Sequence, residues 1–320
     1  MKKIELINPF NKKKLFIKKN FLQDDNGNKF KIVNKIPRIL KNSYTSNFGF
    51  QWNKFRKTQI FNKNNNINEI RFFKETKWAI KDLSNNNILE VGCGAGRFSS
   101  VVLNKSNAML YSIDSSNAVD ASKINNLKYI KNGKFKLFQA DIYNLPFPNK
   151  VFDKIFCFGV LQHTPNSFKA VDCLLEKLKK GGEMVIDFYP YKNFLTKIHA
   201  KYIFRNITKH VSYEKLYKLI SKNIEIVHLL YKILDKSGLH FLTRFLPICD
   251  IKNTIPKNIS KKLLRKWIVL DTLDMFAPVY DNPIKISEMV NYLKKKKCEV
   301  IFSGYVKYSN MEAAVIKIKK

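Results

Sequence analysis

Apolar and polar positions follow two different rules along this chain, and the rule changes near residue 86. Before that point, Lys14-Leu-Phe-Ile, the turn Asp24-Asp-Asn-Gly-Asn and the alternating Lys29-Phe-Lys-Ile-Val predict short strands joined as a hairpin. Residues 1–40 therefore read as a small β appendage. Residues 41–66 are polar and Asn-rich except for Phe48-Gly-Phe-Gln-Trp-Asn-Lys-Phe, which is too aromatic for a plain linker and is expected to pack as a lid over a pocket. Ile67, Ile70, Phe73, Trp78 and Ile80 predict a leading helix over 67–83, although their spacing is imperfect, so that lid and helix together occupy 41–84.

From residue 87 the period shortens. Apolar runs at 87–92, 108–114, 134–141, 151–158 and 183–188 have strand length, and helix-like segments fill most of the intervals. This βαβ series over 85–189 predicts an α/β fold with a Rossmann-like, doubly wound, mostly parallel sheet, which binds ligands at the carboxyl ends of its strands. A Lys-rich helical insertion over 190–282 follows the fifth strand, and it includes Ile224-Glu-Ile-Val-His-Leu-Leu-Tyr-Lys-Ile-Leu. A helix near 287–296 and strands near 299–302 and 313–318 then return the chain to the sheet within 283–320.

Composition narrows the class. The chain has 320 residues, 45% hydrophobic and 26% charged, as expected of a folded globular protein and not of a disordered or collagen-like one. It contains no run of about 18 apolar residues, and Met-Lys-Lys-Ile-Glu-Leu-Ile-Asn-Pro interrupts any signal-peptide segment, so a cytoplasmic location is expected. Cys93, Cys157, Cys173, Cys249 and Cys298 are odd in number and form no Cys-x-x-Cys pair, which supports neither a disulfide framework nor a structural metal site. The net charge of +34 invites a polyanionic or anionic-membrane partner. Only seven of the 59 basic residues are Arg, the residue suited to bidentate phosphate and base contacts, while Lys and Asn crowd the loops as AT-rich coding dictates. The charge is therefore read first as compositional, and nucleic acid as the less favoured partner.

Glu90-Val-Gly-Cys-Gly-Ala-Gly-Arg-Phe follows the first long strand and opens a helix, the setting in which glycines let a backbone approach a ligand. Arg97 stands where a dinucleotide fingerprint wants its last Gly or Ala, which disfavours a pyrophosphate ligand. Asp114 ends the second strand, about 20 residues on, where a carboxylate accepts hydrogen bonds from ribose hydroxyls, and Asp141 ends the third, where it can meet the exocyclic amine of a base.

These segments, together with Ala140-Asp-Ile-Tyr-Asn-Leu-Pro-Phe, Val151-Phe-Asp-Lys-Ile, Gly159-Val-Leu-Gln-His-Thr-Pro-Asn and Leu178-Lys-Lys-Gly-Gly-Glu, resemble the successive motifs of class I S-adenosylmethionine-dependent methyltransferases of the type 11 group. The resemblance spans 86–189. It implies that Glu90, Gly92 and Gly94 belong to the site of the cofactor, S-adenosylmethionine, with the two glycines along its methionine part. It further implies that Asp114 holds the ribose, Asp141 with Ile142 holds adenine, and Phe158 lies beside the sulfonium. Residues 5–40 resemble a zinc-ribbon-like leader of one subset, with Asn8-Pro-Phe-Asn standing where two zinc cysteines often sit, so no metal is expected. Phe48-Gly-Phe-Gln-Trp and Phe55-Arg-Lys-Thr-Gln resemble the segment that precedes the catalytic domain in that subset, and Asp271-Thr-Leu-Asp-Met-Phe-Ala-Pro-Val-Tyr-Asp resembles its insertion motif.

Methyl transfer from a sulfonium is an in-line displacement that needs alignment of the acceptor and, for a hydroxyl or a weakly acidic carbon, a general base. His163, just after the fourth strand, is the candidate base, with helix capping as its structural alternative. Asp271, Asp274, Tyr280 and Asp281 are candidate substrate-binding residues, with a solvated turn as the alternative. No (Asp/Asn)-Pro-Pro-(Tyr/Phe) and no Pro-Cys follows the fourth strand, which argues against methylation of nucleic-acid bases. The expected acceptor is a small molecule or a glycan or lipid-linked intermediate. The rivals are an RNA or protein methyltransferase using the basic surface and a cofactor-binding protein without catalysis. Residues 211–249, with Leu, Ile, Phe and Tyr among lysines, read as a helical cap over the pocket, the alternative being contact with an anionic membrane surface.

Overall fold

The computed structural model describes residues 3–41, 44–60 and 66–320. The chain opens with four short strands, β1 (Phe16–Lys18), β2 (Phe21–Gln23), β3 (Lys29–Val33) and β4 (Ile36–Ile39). The turn between β2 and β3 is held by Asp24, whose carboxylate accepts from the side-chain amides of Asn8 (2.6 Å), Asn11 (2.7 Å) and Asn28 and from the Asn28 backbone N–H. Sequence reading missed β4, a four-residue strand containing Pro37. It pairs in parallel with a strand of the main sheet and makes the appendage continuous with it. Arg38 fixes that junction by donating to Gln139 (3.1 Å) and Asp120 (2.7 Å).

Two helices follow, α1 (Ser46–Lys54) and α2 (Ile67–Thr76). The expected helix over 67–83 stops at Thr76 because Lys77 takes the left-handed conformation (φ 51°), which turns Trp78 into the core, and a short 3-10 turn covers Ile80–Leu83. The alternating segment then runs β5 (Asn87–Val91), α3 (Arg97–Lys105), β6 (Met109–Asp114), α4 (Ala118–Asn125), α5 (Leu127–Lys131), β7 (Phe135–Ala140), β8 (Phe152–Cys157), α6 (Ser167–Lys177) and β9 (Leu178–Phe188). Helices α7 (Ala200–Thr208), α8 (Tyr213–Lys236), α9 (Ile251–Thr254) and α10 (Lys261–Phe276) interrupt the alternation, and α11 (Ile286–Lys295), β10 (Glu299–Tyr308) and β11 (Met311–Lys319) complete it.

Among the described residues these strands form one eleven-stranded sheet of order β1-β2-β3-β4-β7-β6-β5-β8-β9-β11-β10. The strands from β4 to β9 in that order are parallel, and β11 slots antiparallel between β9 and β10. A strand flanked on both sides and covered on both faces is buried along its length, and all five residues of β5 are buried, the polar Asn87 and Glu90 included. Successive residues serve opposite faces. Leu89, Val91, Ile155 and Ile186 join a core with α6 and α11, whereas Ile88, Phe156 and Val185 join one with α2, α3 and α4. The insertion has a third core of its own, built on Trp267, Leu270, Leu273, Leu216, Ile224 and Tyr231, into which Phe55 also packs.

Candidate active site

The carboxyl ends of β5, β6, β7, β8 and β9 face a cavity of about 530 Å³, a volume within the range of small-molecule and cofactor pockets. Its floor is the glycine loop. Gly92, Gly94 and Gly96 have φ of 77°, 51° and 80°. A Cβ at Gly92 would lie 2.1 Å from Val160 Cγ2, so only glycine fits there. Asp114 ties this loop to the end of β6, its Oδ2 accepting from Gly94 N (2.9 Å) and its Oδ1 from Ser116 N (2.9 Å) and Oγ (2.7 Å). Burial pushes the Asp114 carboxyl up from its usual range, against the pull of the Ser116 and Gly94 hydrogen bonds. Gly92, Gly94, Asp114, Ile142 and Phe158 all line the cavity. The Phe158 ring is fixed edge-on to Phe98, centroids 5.3 Å apart.

Two expected cofactor residues stand off the wall. Glu90 is opposite Ser112 in the β5–β6 register, so both side chains enter the same interior face, where its carboxyl accepts from Ser112 Oγ and Ser99 Oγ. It braces the strand beneath the loop and does not line the cavity. Asp141 spends its carboxylate on the Tyr143 N–H (2.8 Å) and the Tyr44 hydroxyl, while its neighbours Ala140 and Ile142 form the wall.

His163 ends the 3-10 turn Leu161–His163 and lines the cavity, with its ring between Phe48 (centroids 5.1 Å) and Tyr189 (5.6 Å). Its Nδ1 is 3.0 Å from the carbonyl oxygen of Tyr280. A carbonyl only accepts, so the proton sits on Nδ1 and Nε2 keeps its lone pair. Burial holds the imidazole below its ordinary range despite the neighbouring Asp274 and Asp281, which keeps it neutral at physiological pH.

The insertion supplies the opposite wall. Asp271 and Asp274, one turn apart on α10, both line the cavity. Asp274 accepts from Gln51 Nε2 (3.0 Å) and the Tyr189 hydroxyl (3.2 Å). Burial, reinforced by Asp274, raises the Asp271 carboxyl well above its usual range. Tyr280 and Asp281 do not line the cavity. The Tyr280 ring is edge-on to Tyr44 (5.7 Å), and its carbonyl, not its phenol, serves the site. Asp281 is neutralised by Lys201 Nζ and by Arg205 Nη1 (2.9 Å), with the Tyr202 hydroxyl at 3.2 Å.

Sequence reasoning missed a charged cluster on the same cavity. Arg71 of α2 pairs with Glu75 (2.7 Å) and with Asp187 near the end of β9 (2.6 Å), and Arg97 donates to Gln59 and lies over the Phe98 ring. Burial, followed by the field of Arg71, lowers Arg97 to about 10. Asp187 lies one residue before the end of β9, so an acid close to a strand end was an available signal. Arg71 was not legible, since only the packing of α2 across the strand ends brings it in, whereas Trp52 belongs to the aromatic segment read as a lid and lines the cavity. The Trp52 ring lies so close over the loop that a Cβ at Gly94 would stand 3.2 Å from it.

The methyltransferase-domain family profile matches residues 89–186. The tRNA U34 carboxymethyltransferase of Nautilia profundicola is 31% identical over 173 residues, which cover 51% of this chain and 51% of that protein. The chain therefore spans about half the length of that relative. The demethylmenaquinone methyltransferase of Tropheryma whipplei is 24% identical over 236 residues, 70% of this chain and 92% of that protein. Among solved structures, magnesium protoporphyrin IX methyltransferase from Synechocystis PCC 6803 with bound SAH aligns at a TM-score of 0.49 and 13% identity, covering 87% of this chain and 96% of that one.

Proposed function

We propose, from the premise that residues 89–186 are a methyltransferase domain of the class I, S-adenosylmethionine-dependent kind, that this chain transfers the cofactor's methyl group to a small molecule or a glycan or lipid-linked intermediate. One observation carries the reading. A glycine cradle that admits no side chain, a strand-end carboxylate and a histidine with its tautomer fixed open into one cavity. In this reading Gly92 and Gly94 run along the amino-acid part of the cofactor, Asp114 accepts from the ribose, the edge at Ile142 meets adenine, and Phe158 screens the reacting centre from water. The bound cofactor supplies an electrophilic methyl group on sulfur. The protein's share is to align the acceptor in line and to take its proton at His163 Nε2. Asp274, Tyr189 and the raised Asp271 carboxyl offer hydrogen bonds to acceptor hydroxyls or amines.

A second reading, an RNA methyltransferase, is favoured by the tRNA-acting relative and by the net charge of +34. One experiment separates the two. Labelled methyl from S-adenosylmethionine is followed into small-molecule, lipid and glycan, protein, and nucleic-acid fractions of a source lysate. Label in the small-molecule or lipid and glycan fraction is expected, and label confined to RNA or protein overturns the choice of acceptor. Asp114→Ala is expected to weaken cofactor binding about tenfold or more. His163→Ala is expected to lower the rate about 100-fold with cofactor binding retained, and an unchanged rate returns His163 to a structural role.

A further inference from the structure

The long helix of the insertion has an apolar face too many. α8, 24 residues and so about 36 Å long, buries Leu216, Ile224 and Tyr231 in the insertion core. Roughly 140° around the same helix runs a second row, Leu219, Ile226, Leu229, Leu230 and Ile233, all exposed, Ile226 to 66%. At 100° per residue these five fall within an arc of about 100°. Lys215 and Lys222 sit in that arc, and Lys218 and Lys236 follow one border of it.

Further apolar side chains are exposed beyond the helix. The 3-10 turn His240–Phe245, in contact with α8, exposes Phe241 and Phe245. From this turn Arg244 donates to the Leu195 carbonyl, which joins it to a segment where Phe194, Leu195 and Ile198 are exposed. That segment also reaches the cavity, since Thr196 and His199 line it.

We propose that this face docks the protein on an anionic lipid bilayer, with residues 194–199 lying between the lipid and the cavity. Aliphatic and phenyl side chains beside lysines match a surface that is apolar within and negative without. RNA offers Ile and Leu no partner. A second copy would bring a second lysine border and another +34 of charge against the first.

The test is flotation of the full chain with vesicles of phosphatidylcholine alone and of phosphatidylcholine mixed with phosphatidylglycerol. The expected result is binding to the anionic vesicles, at least tenfold weaker to the neutral ones and falling as salt rises. The triple variant Ile226→Glu, Leu230→Glu, Ile233→Glu is expected to lose binding at least tenfold with an unchanged melting temperature, because all three side chains are already in water. Equal binding by variant and wild type overturns the proposal, as does failure of the wild type to float with anionic vesicles. Wild-type dimers that the variant abolishes, without vesicle binding, would assign the face to a second copy instead. No methyl acceptor enters the assay, so its failure is distinct from failure of the proposed reaction.

Discussion

Glu90 sits beneath the glycine loop on two serine hydroxyls, and burial raises its carboxyl from an ordinary 4.5 to about 7 against the pull of those hydrogen bonds. A carboxyl raised in this way binds its proton more tightly folded than unfolded. Its contribution to stability is therefore full below the unfolded value and is lost as the pH climbs through the folded one. Denaturation of wild type and Glu90→Gln between pH 4.5 and about 7 should show the wild type losing ground to the variant, and a pH-independent difference would contradict the assignment. At this scale the sequence was readable where a residue's place in its strand decides its role. Asp114 is the last residue of β6 and reaches the cavity, whereas Glu90, one residue short of the end of β5, is locked opposite Ser112. Arg97 entered the sequence reading only as a departure from a dinucleotide pattern, because nothing local tells that its guanidinium turns into the pocket beside Gln59.

Elements of this fold are joined by charges far apart in the chain. Asp281, in the loop after α10, faces Lys201 and Arg205 of α7, with its side chain 1% exposed. Desolvation alone would raise its carboxyl, but the charges of Lys201 and Arg205 hold it below the usual range. Asp281→Ala leaves two cations without their counter-ion and should cost about 3–5 kcal/mol in denaturant unfolding. Breaking the exposed Lys192–Glu312 pair should cost under about 1 kcal/mol, and equal losses would refute the clasp. The sequence shows α10 and the loop that follows but not this partnership, so Asp281 reads there as a free substrate ligand. The same limit hid β4, whose pairing with β7 depends on contacts about a hundred residues apart. The five runs from β5 to β9 were legible because strands covered on both faces are short, mostly buried and rich in Ile, Leu, Val and Phe, even where single polar residues such as Glu90 interrupt them.

At the scale of the whole molecule, +34 of net charge repels itself. Several ion pairs among the described residues lie on the surface and return little. Raising salt from about 0.05 to about 0.3 M should therefore raise the melting temperature by about 2 °C or more, and a fall would mean that ion pairs outweigh the repulsion. The amino-terminal ribbon answers to a different agent. Asn8 and Asn11, and Asp24 and Asn28, are two pairs with the short spacings of metal knuckles, yet they close as amides around one carboxylate. Amides shed no proton to a cation and do not oxidise as thiols do. Neither starvation for zinc nor an oxidising burst should loosen this end of the chain. Only strong acid should, because the amides of Asn11, Asn8 and Asn28 override desolvation and hold the Asp24 carboxyl far below its usual range.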